Sequence, residues 1–482
     1  MDRKDLGIFL FIFLLNLVLV FCQPLYSVIL TDEGQYLLLS KKMIDGWVPY
    51  RDIIENKPLG MYISMIPAVL LCGKDIAKLR IYTSLMVSLT IFFTYLIGKK
   101  LENWKIGLLA ATMMAFITAF PGLNGYTVMT DMVANLFIVP MFYCLICLEL
   151  TPFVVFLIGL LFAAACSVRQ TSILMIIPIV FVYYSSKKRF KHIKTIAVFA
   201  VGMAIIFIPM LLYLLANSAL YDAVYWVFIS QLIGVAGTWS TAYKISNLIM
   251  LGILFLPFIL LTVVGLIGIR RKYYVIILWF LCSFTIAQIT YTYWHNYLFV
   301  IPPFSIFAAV GVGNIIKLAD KLRGGLGRSI FIGIITFFVL IFSMFLVAEI
   351  SLMGGIRYSS WEEQTGISNY IRANSQPDDR IFVFGVNSEV YYLSDRDPAT
   401  RMSFFGGYTC NMSKGEADEF IFGPISRQST KYFIINHPNI VDMCGNESKV
   451  EREVMTYVNS TYIYAGFWGP LEIYKRNESN SA

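Results

Sequence analysis

The sequence predicts an all-α polytopic membrane protein of about eleven transmembrane helices, followed by a small α/β extracytoplasmic domain at the C-terminal end. Of the 482 residues, 58% are hydrophobic and only 14% are charged, whereas a soluble chain has about 25% charged residues. Apolar stretches recur along residues 1–349, while residues 350–482 are polar and hold 16 of the 30 acidic residues. This composition excludes a soluble enzyme, a disordered chain and a small disulfide-rich secreted protein.

A membrane-spanning helix needs about 17–25 mostly apolar residues, and eleven stretches meet or approach that length. They are residues 6–22, 80–97, 106–121, 131–148, 152–167, 171–186, 195–216, 247–269, 273–290, 297–316 and 329–349. The apolar stretch at residues 60–72 is short and contains Pro67, so we interpret it as a re-entrant or interfacial segment. A cleaved signal peptide is the alternative for the first stretch, but no small-x-small motif precedes Gln23, which favours a retained span.

The net charge of +8 comes from the apolar part, which holds 26 of the 38 Lys and Arg residues. With eleven spans, five basic clusters fall on one side, which the positive-inside rule makes cytoplasmic, together with the N-terminus. They are Arg3-Lys4, Lys99-Lys100-Lys105, Lys187-Lys188-Arg189-Lys191-Lys194, Arg270-Arg271-Lys272 and Lys317-Lys321-Arg323-Arg328. The outer face then gathers residues 23–79, 122–130 and 217–246 and the C-terminal domain. We therefore expect a lipid bilayer as partner and no nucleic acid.

The polar C-terminal part predicts a helix over residues 361–373, strands over 380–385 and 432–436, and a strand pair near 463–467 and 471–474; residues 389–393 could open a second helix. No G-x-G-x-x-G follows a strand, so a dinucleotide site is unsupported. The N-x-S/T sites agree with an external location: Asn411, Asn446, Asn459 and Asn477. Whether Cys410 and Cys444 form a disulfide there is left open by the sequence.

The first outer loop carries charges that topology does not explain. Asp32 and Glu33 are adjacent carboxylates at a bilayer surface, where they are costly unless they are solvated, paired or used. The alternative is that Thr31 or Asp32 simply caps a helix. Later in the loop Lys57 is well placed to meet a lipid phosphate, although a flanking lysine can also extend to the interface without any such role.

Further outliers lie on the same predicted face. Asp131 opens an apolar run and could be a helix cap, and Arg169 is the isolated charge of a long apolar region, where such an arginine faces a polar cavity or a phosphate. His295 lies among Tyr and Trp residues of the kind that concentrate at membrane–water interfaces, and it could be an interfacial residue without a role in chemistry. Acids suited to a base or a metal, cations suited to a phosphate, and a membrane setting together indicate a lipid-phosphate donor.

In order along the chain, these motifs resemble the GT-C glycosyltransferases, and within them the protein O-mannosyltransferases and the aminoarabinose transferases to lipid A. The motifs are Asp32-Glu33-Gly34-x-Tyr36, Gly46-x-x-Pro49-Tyr50-Arg51-Asp52, Lys57-Pro58-Leu59, Asp131, Arg169 and His295-x-Tyr297 with downstream prolines. Two departures matter. Relatives often have Lys-Pro-Pro where this chain has Lys-Pro-Leu, and the WWDYG motif of oligosaccharyltransferases is absent, which argues against transfer of a whole oligosaccharide to Asn.

The resemblance implies transfer of a sugar from a polyprenyl phosphate to an acceptor protein, lipid or glycan outside the cell membrane, with inversion. It implies that Asp32 is the general base, that Glu33 orients it or binds the acceptor, and that Lys57 and Arg169 hold the donor phosphate. Supporting residues would be Tyr36, Arg51, Asp52, Asp131, His295 and Tyr297. No cofactor is expected to be required, although a divalent cation could meet Asp32, Asp131 and His295.

Two other classes of function remain as alternatives. A transporter or flippase of lipid-linked sugars would need the same cations but no base, and such proteins often have repeated halves with charge at the bilayer midplane. No repeat is evident here, and the polar residues lie at one interface, which favours the enzyme. A membrane-anchored interaction module is the third class, but eleven spans are excessive for an anchor.

Overall fold

The computed structural model describes residues 3–23, 28–185, 192–231, 241–267, 270–289, 293–322, 360–405, 412–427, 429–437 and 449–477, with a few single positions between 329 and 340. The chain divides into two compact units. The first contains residues 1–26, 80–212 and 239–351, and the second contains residues 27–79, 213–238 and 352–482. The last predicted span, residues 329–349, lies largely outside the described residues.

Up to residue 322 the described chain is mostly helical. The α-helices are α1 (Arg3–Phe21), α2 (Thr31–Ile44), α3 (Leu59–Cys72), α4 (Ile76–Leu101), α5 (Trp104–Thr118), α6 (Thr130–Cys147), α7 (Pro152–Val168), α8 (Ile176–Ser185), α9 (His192–Ala216), α10 (Leu220–Val224), α11 (Thr241–Leu254), α12 (Leu256–Leu266), α13 (Tyr274–Ile289) and α14 (Ile301–Leu322). Every predicted span up to residue 316 contains helix, because long apolar runs satisfy their backbone hydrogen bonds internally only as helices. The short stretch predicted to be interfacial is α3, of 14 residues.

Six of the described helices are long and apolar enough to cross a membrane: α1, α4, α6, α9, α13 with its preceding turn, and α14. The helices α11 and α12 would together make a seventh span, but they meet at an angle of 78°. The sequence predicts one continuous span there, over residues 247–269. Pro257, near the start of α12, has no N–H for the helical hydrogen bond, which explains the break. The number of eleven spans stays a prediction.

Charged side chains gather at one end of the first unit. Asp5 of α1 accepts hydrogen bonds from Lys99 Nζ at 2.6 Å and Tyr95 Oη at 2.9 Å. Glu102, just after α4, pairs with Lys272 at 2.7 Å. Three of the predicted basic clusters therefore lie at the same end of this unit, as the predicted topology requires. Which side of a membrane this end faces stays a prediction.

Two glycines allow α12 and α14 to pack closely. A Cβ added at Gly311 would lie 1.9 Å from the Leu261 carbonyl oxygen, and one added at Gly265 would lie 2.2 Å from the Phe307 carbonyl oxygen. In a membrane, apolar side chains gain little by moving from lipid into a helix contact. Helices therefore associate through close packing, and small residues allow their backbones to approach each other. This contact anchors α14, whose N-terminal end follows the 3₁₀ turn Trp294–Phe299.

The second unit contains a five-stranded mixed sheet. The remaining elements are α15 (Trp361–Ala373), β1 (Arg380–Phe384), α16 (Glu389–Ser394), β2 (Asp397–Pro398), α17 (Lys414–Ala417), a π-helical turn (Asp418–Phe422), α18 (Gly423–Ser426), β3 (Thr430–Ile435), α19 (Lys449–Thr461), β4 (Tyr462–Trp468) and β5 (Leu471–Arg476). The strand order is β2-β1-β3-β5-β4, with β1 parallel to β2 and β3 and the other pairs antiparallel. The predicted small α/β fold is confirmed, each predicted strand and helix included.

The first outer loop packs as part of the second unit. The Gln364 amide exchanges hydrogen bonds of 2.9 and 3.2 Å with the backbone of Ile29, and the Ile54 N–H donates to the Arg401 carbonyl at 2.7 Å. The side chain of Ile54 is part of the aromatic-rich core of the sheet, and Trp226 packs against that core. The predicted outer loops and the tail therefore share one hydrophobic core. The domain boundary at residue 350 stays a prediction. Cys410 and Cys444 lie outside the described residues.

Candidate active site

The first turn of α2 carries the two predicted catalytic acids. The helix begins after Leu30, and no side chain caps its N-terminus, so neither Thr31 nor Asp32 has the capping role. Both acids lie instead in the first turn, where the helix dipole stabilises negative charge. Asp32 is half-buried and Glu33 is fully buried. Because a buried carboxylate is shielded from a substrate, only Asp32 of this pair is accessible to one.

Asp32 has no hydrogen bond and no ion pair with any described residue. Its carboxylate nevertheless lies close enough to Glu55 to raise the pKa of that side chain, which burial raises first, while the positive charge of Lys57 acts in the opposite direction. Gln35, on the next turn of α2, hydrogen-bonds to Glu55 as well. Asp32, Glu55 and Lys57 therefore form one electrostatic cluster.

Lys57 lies at the end of the first loop, directly before α3. Its Nζ donates to Asn56 Oδ1 at 2.5 Å, and within the described parts of the chain it has no carboxylate partner within 4 Å. The Lys57 carbonyl accepts hydrogen bonds from Tyr50 Oη at 2.7 Å and Tyr62 Oη at 3.3 Å. The lysine is thus held by its backbone and by a neutral amide, which leaves its positive charge for an anion.

Tyr50 holds this loop in a strained conformation. Its φ is +70° although it is a bulky residue, and its side chain is completely buried. Such a conformation costs about 1–3 kcal/mol and persists only where the surroundings enforce it. The Arg401 guanidinium donates to the Tyr50 carbonyl at 2.8 Å, and the Tyr50 hydroxyl donates to the Lys57 carbonyl. One strained residue therefore connects the tail to the backbone of the lysine.

The other predicted residues of this loop support its shape. Arg51 and Asp52 pair with each other through two hydrogen bonds of 2.8 Å, and Asp52 also accepts from the Val48 N–H at 2.8 Å. The Arg51 guanidinium therefore holds the pKa of Asp52 below its ordinary value. Tyr36 is buried beside Tyr62, with ring centroids 6.5 Å apart. These predicted supporting residues brace the loop that presents Lys57.

Gly34 explains why the acidic pair is followed by glycine. A Cβ at this position would lie 2.9 Å from the Glu389 backbone nitrogen and 3.0 Å from the Glu389 Cβ. The first turn of α2 therefore packs directly on the start of α16. Any side chain here must displace the helix that carries Asp32.

We expect Gly34→Ala to lower both stability and any activity that depends on Asp32. Overpacking of this kind costs about 1–3 kcal/mol, which offsets or exceeds the roughly 1 kcal/mol gained when alanine replaces a helical glycine. Thermal unfolding of the purified chain in detergent measures the effect. Gly415→Ala in α17 is the matched control, since nothing lies within 4 Å of its added Cβ. Equal melting temperatures for the two variants would contradict the packing argument.

Glu389 is a buried acid that the sequence did not single out. It is 1% exposed, and its Oε1 accepts hydrogen bonds from Asn387 at 2.8 Å and Gln364 at 3.4 Å, whereas its Oε2 has no partner among the described residues. Burial raises the pKa of Glu389 to about 7. Gly34 of α2 packs against Glu389, so the protonation state of Glu389 affects the stability of the packing between the first turn of α2 and α16.

A raised pKa in an acid means that stability is greatest below the unfolded pKa, near 4.5, and falls as the pH rises towards 7. Glu389→Gln cannot ionise. We expect its stability relative to the native chain to increase by about 2–3 kcal/mol between pH 5 and pH 8. Thermal unfolding across this range tests the prediction, with the exposed Glu362→Gln as control. A constant difference between Glu389→Gln and the native chain would show that Glu389 ionises normally.

The first unit brings together two other predicted residues, Asp131 and Arg169, at the end of α14 opposite the charged end described above. Arg169 Nη1 donates to Asp131 Oδ2 at 2.6 Å and to Thr130 Oγ1 at 2.9 Å, Nη2 donates to Asn296 Oδ1 at 2.9 Å, and Nε donates to Thr171 at 3.3 Å. The side chains of Arg169 and Asp131 are 8% and 0% exposed. Four of the five guanidinium N–H groups are therefore used inside the protein.

His295 and Tyr297 flank Asn296 in the 3₁₀ turn Trp294–Phe299. His295 is half-buried and stacks on Tyr293, with ring centroids 5.5 Å apart, and Tyr297 accepts a hydrogen bond from Gln288 at 2.7 Å. Asn296, between them, is the residue that reaches Arg169. The sequence pointed to its neighbours, because a histidine and a tyrosine stand out in an apolar run more than an asparagine does.

The predicted site residues thus fall into two groups. Asp32, Glu33, Tyr36, Arg51, Asp52 and Lys57 lie in the second unit, and Asp131, Arg169, His295 and Tyr297 lie in the first. Glu55 is an acid that the sequence analysis left out, although it precedes Lys57 by two residues. Among the described residues, no group of three or more His, Cys, Asp or Glu side chains is arranged to hold a metal ion.

The fold and the site define a class of protein: a polytopic helical membrane protein whose first loop presents acids and a lysine beside a small α/β domain. The family model for dolichyl-phosphate-mannose-protein mannosyltransferases matches residues 56–214. No curated protein sequence matches the chain.

Solved structures share the fold. ArnT from Cupriavidus metallidurans, bound to undecaprenyl phosphate, is 13% identical and matches over 100% of both chains with a TM-score of 0.65. The archaeal oligosaccharyltransferase AglB from Archaeoglobus fulgidus is 11% identical and has a TM-score of 0.60 over 100% of this chain and 75% of its own. Mycobacterial arabinofuranosyltransferase AftD is 12% identical, with a TM-score of 0.50 over 99% of this chain and 40% of its own. The predicted fold class is confirmed, and the resemblance to protein mannosyltransferases is confirmed over residues 56–214.

Proposed function

We propose that this protein is a membrane glycosyltransferase that moves a single sugar, a hexose or a pentose, from a polyprenyl-phosphate donor to an acceptor hydroxyl with inversion. The observation that carries the proposal is the cluster in the second unit. Within the described part of the chain, it combines an accessible carboxylate without a hydrogen-bond partner, Asp32, with a lysine without a carboxylate partner, Lys57. A base and an unneutralised cation are what such a transfer needs, and the matched ArnT structure contains undecaprenyl phosphate.

In the proposed reaction Asp32 accepts the proton of the acceptor hydroxyl as its oxygen bonds to the anomeric carbon of the sugar. The bond between that carbon and the phosphate oxygen breaks, and polyprenyl phosphate leaves. Lys57 stabilises the negative charge that develops on the leaving phosphate. Glu33 is too buried to contact an acceptor, so we propose that it helps to hold α2 in the orientation that presents Asp32. The sequence-predicted contact of Arg169 with a donor phosphate would use the one guanidinium N–H group that is not bonded to a described residue.

The proposed setting is the cell membrane, with the N-terminus in the cytoplasm and the C-terminal domain outside. We propose that no metal is required, because Lys57 and Arg169 can supply the positive charge. The acceptor is a protein, lipid or glycan of the cell envelope. A transporter would have no use for an accessible base such as Asp32, which is why transfer is preferred over transport of the lipid-linked sugar.

Transfer of label from polyprenyl-phosphate sugars by the purified chain, in buffer with EDTA, tests the proposal. We expect Lys57→Met to lower the rate by about 10²–10³-fold, since a cation that stabilises transition-state charge contributes about 3–4 kcal/mol. Lys414→Met, an exposed lysine of α17, is the control. No transfer from any such donor by the native chain, or normal transfer by Lys57→Met, would overturn the proposal.

A further inference from the structure

A cavity of about 270 Å³ lies within the second unit, between the first outer loop and the β2 side of the sheet. Its polar and aromatic lining includes Trp47, Asp52, Arg380, Arg401, Glu419 and Arg427. Asp32, Glu55 and Lys57 do not line it. Pockets for drug-sized molecules measure about 300–1,000 Å³, so this one suits a single sugar ring.

The cavity carries an excess of positive charge. Within the described residues, the guanidinium groups of Arg380 and Arg427 have no hydrogen bond or ion pair. Arg401 bonds to Asp222 at 3.1 Å and to the Tyr50 carbonyl, but its Nε is buried and without a partner in the described structure. The side chains of three arginines therefore line one cavity, with Arg380 half-buried and Arg427 exposed. Guanidinium groups suit carboxylates and phosphates.

The acidic residues of the lining cancel only part of this charge. Asp52 is already neutralised by two hydrogen bonds from Arg51, whose guanidinium also keeps the pKa of Asp52 low. Glu419 is exposed and makes no ion pair with a described residue. The lining therefore keeps a net positive charge because, among the described residues, the unpaired Arg380 and Arg427 outnumber the unpaired Glu419. The Glu419 carboxylate can accept a hydrogen bond from a sugar hydroxyl.

The aromatic residues add a surface for the face of a ring. Trp47 is half-buried and Phe420 is 5% exposed. The C–H faces of a sugar pack on aromatic rings, whereas its hydroxyls need donors and acceptors. A bare anion would not require these aromatic surfaces, and a neutral sugar would not require three arginines.

We propose that this cavity binds one acidic sugar unit, which carries a carboxylate or a phosphate ester. Arg380, Arg401 and Arg427 bind the acidic group, and Trp47 packs on the ring. Arg401 also connects the cavity to Tyr50 and hence to the Lys57 backbone, so occupancy would reinforce the strained loop. The proposal concerns binding, and it does not depend on the proposed transfer reaction.

Isothermal titration of the purified full chain in detergent tests the proposal with four probes: glucuronate, glucose 6-phosphate, glucose and inorganic phosphate. We expect saturable binding of at least one acidic sugar, at least tenfold tighter than of glucose or inorganic phosphate. Comparison of the two acidic probes distinguishes a carboxylate from a phosphate ester. Equal affinity for inorganic phosphate, or no saturable binding of either acidic sugar, would overturn the proposal.

Variants then locate the binding. Arg380→Gln and Arg427→Gln should each lower the affinity for the acidic sugar about tenfold or more, because each variant loses a charge-assisted hydrogen bond to the acidic group. Neither guanidinium makes a hydrogen bond or an ion pair with a described residue, so both variants should fold. Trp47→Ala should lower the affinity for the acidic sugar but leave the weak binding of inorganic phosphate unchanged. Lys475→Gln on β5 is the control. Unchanged affinity in both arginine variants would place the binding elsewhere and exclude this cavity.

Discussion

Asp32→Asn should lower the rate of sugar transfer by about 10²–10⁴-fold while the chain stays folded, because loss of a general base typically has this effect. The side chains have the same shape, and in the native structure the Asp32 carboxylate makes no hydrogen bond to a described residue that the amide would lose. The expected change is therefore in kcat, with the KM for the donor nearly unchanged. The assay is transfer of label from a polyprenyl-phosphate sugar.

The control for this variant is Asp378→Asn. Asp378 is exposed, lies in the same unit and makes no hydrogen bond with the described residues. Thermal unfolding of both variants separates a catalytic effect from loss of structure. A further variant, Asp32→Glu, keeps the base but moves it, and should retain part of the activity. Transfer at the native rate by well-folded Asp32→Asn would exclude Asp32 as the base and leave Glu55 as the next candidate in the cluster.

Arg169→Met should be the most destabilising of the single changes considered. It would remove the ion pair that Arg169 makes with the Asp131 carboxylate, which is 0% exposed in the interior of the first unit. Breaking one side of a buried ion pair costs about 3–5 kcal/mol, since the remaining charge stays buried and uncompensated. We expect little folded protein after extraction in detergent, measured as the monodisperse fraction and by thermal unfolding.

The double variant Asp131→Leu with Arg169→Met should recover most of this stability, because a buried ion pair can often be replaced by apolar side chains of similar volume. It should nevertheless fail to transfer sugar if Arg169 also contacts the donor phosphate. Lys431→Met is the control for a lost ion pair, since its 2.9 Å bond to Asp379 is partly exposed and should contribute about 0–1 kcal/mol. Full transfer by the folded double variant would limit Arg169 to a structural role.

Much of the fold was predictable because membrane helices depend on local sequence. Runs of apolar residues form helix wherever no water is available to the backbone, so the positions of α1 and α4–α9 follow from composition alone. The tail was predictable for a similar reason: the alternation of apolar and polar residues around residues 380–385 and 432–436 indicates strands whatever they pair with. The break between α11 and α12 was missed, although Pro257 is a visible signal for it.

The site was predictable in part. Asp32, Glu33 and Lys57 stand out because charges at a membrane surface are costly, and the structure places Asp32 and Lys57 in one electrostatic cluster with Glu55. The capping alternative for Asp32 is wrong, because α2 begins without a side-chain cap. Glu389 and Arg401 were not predictable, since in the tail an acid or an arginine is ordinary by composition.

By itself, the sequence determined that this chain is a membrane protein, where its helices and strands lie, and which acids and cations are unusual enough to carry chemistry. These properties depend on neighbouring residues and on the dielectric contrast between lipid and water. Only the tertiary structure decided which residues are partners. It shows that Asp131 neutralises Arg169, that Asp32 and Lys57 have no such partner among the described residues, and that the first loop shares a core with the tail. Such pairings join residues far apart in the chain, and their energy depends on distances and burial that no local pattern records.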